Sequence, residues 1–443
     1  MQNQGIRDAR SLGAPKLLVL GLQHMFAMFG ATVLVPALTG LSVSATLLFA
    51  GLGTLFFHFL TKGKVTAFLG SSFAYLAGYA AIAPNGEAAL LPYACVGVAA
   101  SGLLYLILAA LVRGFGANRV MRFFPPVVTG PIIICIGMTL ANSAINNCTG
   151  SWDIALVAIL TVVIFNIWGK GMLRIIPILL GVLVSYVYAA VTGRVDFSGV
   201  ASAAWIGLPV KMENTVFSLI GNCDANLLVT AIIAIMPIAF ATMIEHIGDI
   251  CAISSTVGAN FIADPGLHRT LLGDGLATSI ASLFGAPANT TYGENTGVLA
   301  LTRVYDPLVI RLAAVYAIIA SFCPKFAALV SAMPTGTIGG VSLILYGMIS
   351  AIGVRNLVEN RVDLAKSRNV IVVSLIISLA LGITFSAAGA ITFHVGEFTL
   401  NFSGLAVAAI VGIVVNAILP GKDYNFQNDY EYGKTTEDHG QML

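Results

Sequence analysis

Residues 227–262 read LLVTAIIAIMPIAFATMIEHIGDICAISSTVGANFI, an apolar run whose only acidic groups are Glu245 and Asp249. About 20 apolar residues suffice for a helix to cross the hydrocarbon core of a bilayer. The stretch is therefore a membrane segment with carboxylates set into it. A charge at that depth costs roughly 2.5 to 3.5 kcal/mol on insertion scales, and an intramembrane carboxylate marks function by default. The two acids are four residues apart, so on a helix they share one face and repel, and two close carboxylates in low dielectric rarely both ionise. An end to the helix near Met243 would put both in water, but ICAISSTVGANFI is too apolar for a loop. His246, next to Glu245, points away from that face and is expected as a packed histidine.

The whole chain agrees with a membrane reading. Its 443 residues are 58% hydrophobic and 9% charged, with mean hydropathy +0.92, whereas soluble domains run about 25% charged. The surplus apolar surface must face lipid. A net charge of +2, with the basic residues scattered, gives no footprint for nucleic acid. The six cysteines have no metal-ligand or CxxC spacing and are expected as small buried hydrophobes. Arg7, Arg10 and Lys16 precede an apolar run over 17–38 that is too long for a signal-peptide core, so it is an uncleaved first span.

Apolar runs of spanning length fall near 17–38, 44–61, 91–112, 124–145, 152–168, 173–192, 225–248, 308–331, 337–354, 369–389 and 402–420. Three more, 73–83, 270–286 and 295–302, are short and bordered by helix-breaking Gly, Pro, Ser, Thr or Asn. Counting all as crossings gives an all-α polytopic protein of fourteen segments with both termini on one side. Lys and Arg concentrate in cytoplasmic loops, and with the N-terminus inside, eighteen of the 22 basic residues are cytoplasmic. Arg194, Lys211 and Lys325 fall outside, and Arg311 lies within a span, close enough to the cytoplasmic side to snorkel. Removing or adding one span would scramble that asymmetry. The polar tail, 421–443, has too little apolar content to pack and is expected to be disordered.

Two short echoes link the halves: FFPPVVTGPIIICIGM (123–138) with SAMPTGTIGGVSLILYGM (331–348), and GLGT (51–54) with GLAT (275–278). Seven crossings per half would set two such repeats in opposite orientation, the arrangement of secondary transporters with midplane sites between broken helices. The echoes alone do not establish the repeat.

A second constellation is GAPANTTYGENTGVLALTR (285–303), irregular chain running into a helix too short to span. Irregular backbone at membrane depth survives only where it lines a cavity. A helix beginning around Glu294 leaves the N–H groups of Gly293 to Asn295 to donate to a substrate. FLGSSFAYLAGYAA (68–81) matches it in the other half, with Gly70, Ser71 and Ser72 breaking the chain before Phe73 and Tyr75. Carboxylates accept hydrogen bonds, helix N-termini donate them, and aromatic faces stack on flat rings. The ligand that fits is a neutral planar heterocycle with N–H and C=O edges. A channel would show a polar stripe on several helices, and an enzyme a nucleophile–base or metal set; no HExxH or GxSxG is present.

These segments resemble the nucleobase/ascorbate transporter family, most closely its bacterial uracil permease branch. The resemblance covers nearly the whole chain, through Gln23-His24, GSSFAY (70–75), EHIGD (245–249), DPGLHR (264–269), NTTYGENTGVLALTR (289–303) and GGVSLILYG (339–347). The family signature stands here as Glu294, Asn295, Gly297, Thr302 and Arg303. The resemblance implies two inverted repeats of seven segments, with short antiparallel strands in the third and tenth at 70–75 and 289–294. It also implies a core domain (about 17–112 and 225–303), a gate domain (about 113–192 and 306–420) and a homodimer in the bacterial plasma membrane. Glu245 and Glu294 correspond to the substrate-binding carboxylates, Phe73 and Gly293 to backbone donors, and Tyr292 and Tyr346 to supporting pocket residues. Coupling to protons would involve Glu245, Asp249 and Glu294, with no cofactor. Asp249 stands where the uracil permease pattern has His and many purine carriers have Asp, whereas Glu294 stands where the purine branch has Gln. The resemblance thus implies a proton-coupled uracil importer, with a xanthine or purine permease as the alternative. An anion transporter of the same fold would want basic or neutral groups at Glu245 and Glu294.

Overall fold

The computed structural model describes residues 5–174, 176–395 and 398–422; the side chains of Glu294 and of residues 394–395 and 398–400 are outside the described set. The tail from 423 onward also lies outside it. In chain order the elements are α1 (Ala14–Thr39), α2 (Val43–Leu60), β1 (Leu69–Ser71), α3 (Leu76–Ile82), α4 (Leu91–Phe115), α5 (Ala117–Met121), α6 (Pro126–Cys148), α7 (Trp152–Trp168), α8 (Pro177–Val191) and α9 (Ser198–Ser202). There follow α10 (Ala225–Ile235), α11 (Ala239–Val257), α12 (Leu267–Leu283), β2 (Asn289–Thr291), α13 (Gly293–Thr302), α14 (Pro307–Ser321), α15 (Pro324–Ser331), α16 (Thr335–Glu359), α17 (Ser367–Thr384), β3 (Ala390–Val395), β4 (Phe398–Ser403) and α18 (Gly404–Ile418).

Every apolar run marked in the sequence contains a helix, and breaks fall where backbone chemistry demands them. Asp306 caps α14 by accepting from Leu308 N at 2.9 Å, with Pro307 at the first helical position. Gly40 and Gly258 end α1 and α11 in the left-handed conformation. Among the described residues, seven helices are long and apolar enough to cross a bilayer by themselves, counting α10 and α11 as one run over 225–257, or eight if α14 and α15 form one broken span.

Three features differ from the sequence reading. The run 308–331 is not one straight span: Cys323-Pro324 breaks it, and α15 leaves α14 at 88°. Between α17 and α18 the chain forms an antiparallel hairpin, β3–β4, with Ala390 opposite Ser403 and Val395 opposite Phe398. Of the cysteines, 95, 135 and 148 are buried as expected, whereas 223 and 251 are exposed.

The helices pack in two groups. α4 and α12 lie together, with α2 against both α12 and α14 and α1 along α14. The other group sets α6 on α16, α7 on both α8 and α16, and α17 on α18 and α6. The α6–α16 contact is close because glycines face it. A Cβ on Gly353 would stand 2.6 Å from Gly130 O and Ile134 N, and one on Gly137 would overlap Tyr346 O. Small residues let backbones approach where no water drives association. These are the two helices of the longer sequence echo.

Candidate functional site

Two strands from distant parts of the chain meet inside the first helix group. Leu69 pairs with Thr291, Gly70 with Thr290 and Ser71 with Asn289. The ladder is extended by Ser72 N–H donating to Ala288 O (2.8 Å) and Tyr292 N–H to Phe68 O (2.9 Å). Both strands are fully buried, so their remaining backbone groups need partners. Helices supply them. Thr54 on α2 accepts from Leu69 N at 2.9 Å, and Thr278 on α12 donates to Asn289 O at 2.6 Å. Asn289 in turn donates from Nδ2 to Phe49 O at 2.9 Å.

Each strand turns into a short helix, β1 into α3 and β2 into α13, so two half-helices start from the crossing. Tyr292 lies across Gly70, where a Cβ would overlap its ring. Its hydroxyl donates to Ser71 O at 2.9 Å and accepts from Thr32 on α1 at 3.3 Å. Ser71 Oγ returns a bond to Thr32 O at 3.1 Å. The crossing is therefore tied to α1, α2 and α12 on three sides.

The residues singled out by sequence gather here. α11 continues to Val257, so Glu245 and Asp249 do sit on one helical face, each partly buried. Asp249 lies at the start of α13: Thr291 Oγ1 donates to its Oδ2 at 3.2 Å, and a Cβ on Gly293 would stand 3.6 Å from its Oδ1. Gly293 is exposed while Thr291, Tyr292 and Asn295 around it are buried, which places an opening at the helix N-terminus. That N-terminus has no side-chain cap, so its positive end and its leading N–H groups face the carboxylate helix. The Phe73 ring meets Tyr346 of α16 edge-on, centroids 6.1 Å apart. Glu294 stands in the first turn of α13, its side chain outside the described residues.

The motif residues divide. Asn295 Nδ2 donates to His24 O at 3.0 Å, joining α13 to α1. Thr302 bonds back to Val298 O at 2.8 Å within its helix. Gly297 is exposed with nothing near a would-be Cβ. Arg303 takes a left-handed conformation, φ +54°, that ends the helix. Tyr75, considered with Phe73 as an aromatic face, is enclosed elsewhere; its hydroxyl lies 3.3 Å from Thr242 Oγ1 on α11. Arg311 reaches the 61–63 turn, donating to His58 Nδ1 (3.3 Å) and Gly63 O (3.4 Å).

Sequence reasoning missed one buried acid. Asp274 of α12 is fully enclosed, its Oδ2 3.5 Å from His246 Nδ1, and His246 is fully enclosed too. His246 Nδ1 also lies 3.4 Å from Thr291 Oγ1. A polar chain thus runs from Asp249 through Thr291 and His246 to Asp274. The signal was available: Asp274 is another acid within an apolar stretch, LLGDGLATSI.

A family model described as "Permease family" (Xan_ur_permease) matches residues 15–389. The uracil permease of Bacillus caldolyticus is 42% identical over 437 residues, covering 96% of each chain. That of Bacillus subtilis (strain 168) is 39% identical, covering 99% of this chain and 98% of its own. That of Escherichia coli (strain K12) is 37% identical over 90% of each. Among solved structures, the transmembrane domain of the cyanobacterial bicarbonate transporter BicA superposes with TM-score 0.63 at 13% identity, covering 94% of this chain and all of that one. SLC26A9 gives 0.61 at 12% identity, covering 90% of this chain and 64% of that one. At such identities the likeness carries the fold alone. With its family model spanning most of the chain and these relatives matching nearly end to end, the protein belongs to the nucleobase/ascorbate transporter family and is a multi-pass membrane permease, not an enzyme.

Proposed function

We propose that this permease imports uracil across the bacterial plasma membrane together with protons. The observation that carries the reading is the meeting of α11 and α13, where the carboxylate face of Glu245 and Asp249 opposes the uncapped N-terminus at Gly293. A pyrimidine edge alternates N–H and C=O, so carboxylate acceptors on one side and helix N–H donors on the other complement it. Glu245 and Glu294 take the ring N–H groups, Phe73 and Gly293 give backbone N–H groups to carbonyls, and Tyr292 and Tyr346 close the pocket. The names of the relatives support this substrate.

A proton on Glu245, with Asp249 beside it, lets the acidic pocket accept a neutral ligand without charge repulsion. Loaded or fully empty forms then exchange sides, and the lower proton activity inside releases both. The moving body in this reading is the core, 17–112 and 225–303, extended beyond the division expected from sequence by α14, which packs on α1 and α2. The second helix group is the gate and carries a homodimer contact. Both termini are cytoplasmic.

A xanthine or purine permease is the second reading, favoured by Asp249 standing where the uracil permease pattern has His. The test is uptake of radiolabelled uracil into proteoliposomes under an inward proton gradient, with xanthine as competitor. Gradient-driven uptake abolished by Glu245→Gln supports the reading. Xanthine accumulating in place of uracil, or uptake indifferent to the gradient, overturns it.

A further inference from the structure

Residues 5–9, in the segment before α1, lie against the far ends of the two site helices. Ile6 bridges Val304 in parallel: its N–H donates to Arg303 O at 2.7 Å, and its carbonyl accepts from Tyr305 N at 2.8 Å. Both partners, Arg303 O and Tyr305 N, follow closely on α13, whose last residue is Thr302. Gly5 lies on the Tyr305 ring, where a Cβ would overlap it. Ala9, fully buried, donates to Asp306 Oδ2 at 2.9 Å. Between them Arg7 reaches the other helix, its guanidinium donating to Val257 O at 2.9 Å, the last residue of α11.

Val257 O is among the carbonyls that an α-helix leaves without an internal partner, at the negative end of its dipole. A guanidinium there completes the hydrogen bonding and favours the charge. One arm thus joins the end of α11 and the exit of α13 through adjacent residues, Ile6 and Arg7. At 1.5 Å per residue the junction lies roughly 12 Å along α11 from Asp249 and roughly 15 Å along α13 from Gly293. Two helices pinned at one end have less freedom to open at the other.

We propose that the N-terminal arm is a positioning staple, in which Arg7 and Ile6 fix the splay between α11 and α13 and so the fit of substrate between the carboxylate face and Gly293. This rests on the substrate site proposed above. Arg7 touches no substrate and acts through the helix it caps.

The test uses the full-length protein with Arg7→Ala, Arg7→Lys and Ile6→Pro, the last removing the N–H given to Arg303 O. Expected is a rise in KM for uracil of roughly two- to thirtyfold in the Ala and Pro variants, with Vmax per transporter held and Arg7→Lys near wild type. Hydrogen-exchange mass spectrometry without substrate should show faster exchange over 293–302 in the same two variants. Unchanged KM and unchanged exchange, or loss of Vmax in step with lost protein, overturns the staple. A wild type that does not move uracil overturns the substrate reading alone, and the exchange measurement then decides the staple by itself.

Discussion

His246 Nδ1 and Asp274 Oδ2 stand 3.5 Å apart with both side chains fully enclosed, joining α11 to α12 beneath the strand crossing. Removing one member of a buried polar pair leaves the survivor enclosed without its counterpart, whereas replacing both by apolar groups does not. Asp274→Ala should cost about 3 to 5 kcal/mol, and His246→Phe combined with Asp274→Leu should recover much of that loss. Melting temperatures in detergent for the singles and the double decide it: a double variant as unstable as the sum of the singles would show that the pair is not the relevant contact.

Thr291 donates a hydroxyl proton to Asp249. Thr291→Val removes it and keeps the shape, so uptake should fall roughly tenfold or more, as for a hydrogen bond to a charged group. Thr291→Ser keeps the donor and should retain most activity. Equal loss in both variants would point to the methyl group instead.

Gly70 leaves room for the Tyr292 ring. Gly70→Ala forces that ring and its bonds to Ser71 and Thr32 aside, an overpacking cost of about 1 to 3 kcal/mol. Fluorescence-detected thermal melting of the variant, showing no shift, would mean that the ring has free space to retreat.

Thr54 and Thr278 hold one strand each. Replacing either by Val strands a buried backbone group, at about 1 to 3 kcal/mol apiece. They share no partner, so the double variant should be additive within about 0.5 kcal/mol. A strongly sub-additive double would show the crossing already disrupted by either single.

Where the groups of this candidate site lie was legible in part because the cues are local in sequence. Glu245 and Asp249 stood out as charges in an apolar run, and Gly70 and the 285–293 stretch as breaks at membrane depth. The GLGT and GLAT echo ends on Thr54 and Thr278, whose equivalent tasks no single window could reveal. Asp274 escaped notice because it sits in a short Gly-flanked segment whose partner, His246, belongs to another helix. The β3–β4 hairpin is masked by the apolar runs on either side of ITFHVGEFTLNFS (391–403), where Ile391, Phe393 and Val395 alternate with polar residues. The break between α14 and α15 follows from Pro324, whose ring cannot continue the preceding helix.

The three rungs of the β1–β2 ladder join residues made about 220 positions apart. During synthesis Leu69, Gly70 and Ser71 must therefore wait, already among the first inserted helices, until Asn289 to Thr291 emerge. Bare backbone is costly in lipid, so the early half of the chain needs water, a chaperoning insertase or non-native partners at that spot for the interval. A chain truncated before Asn289 therefore lacks the strand that pairs with β1 and leaves an open seam among its first helices, where buried backbone has lost its native partners.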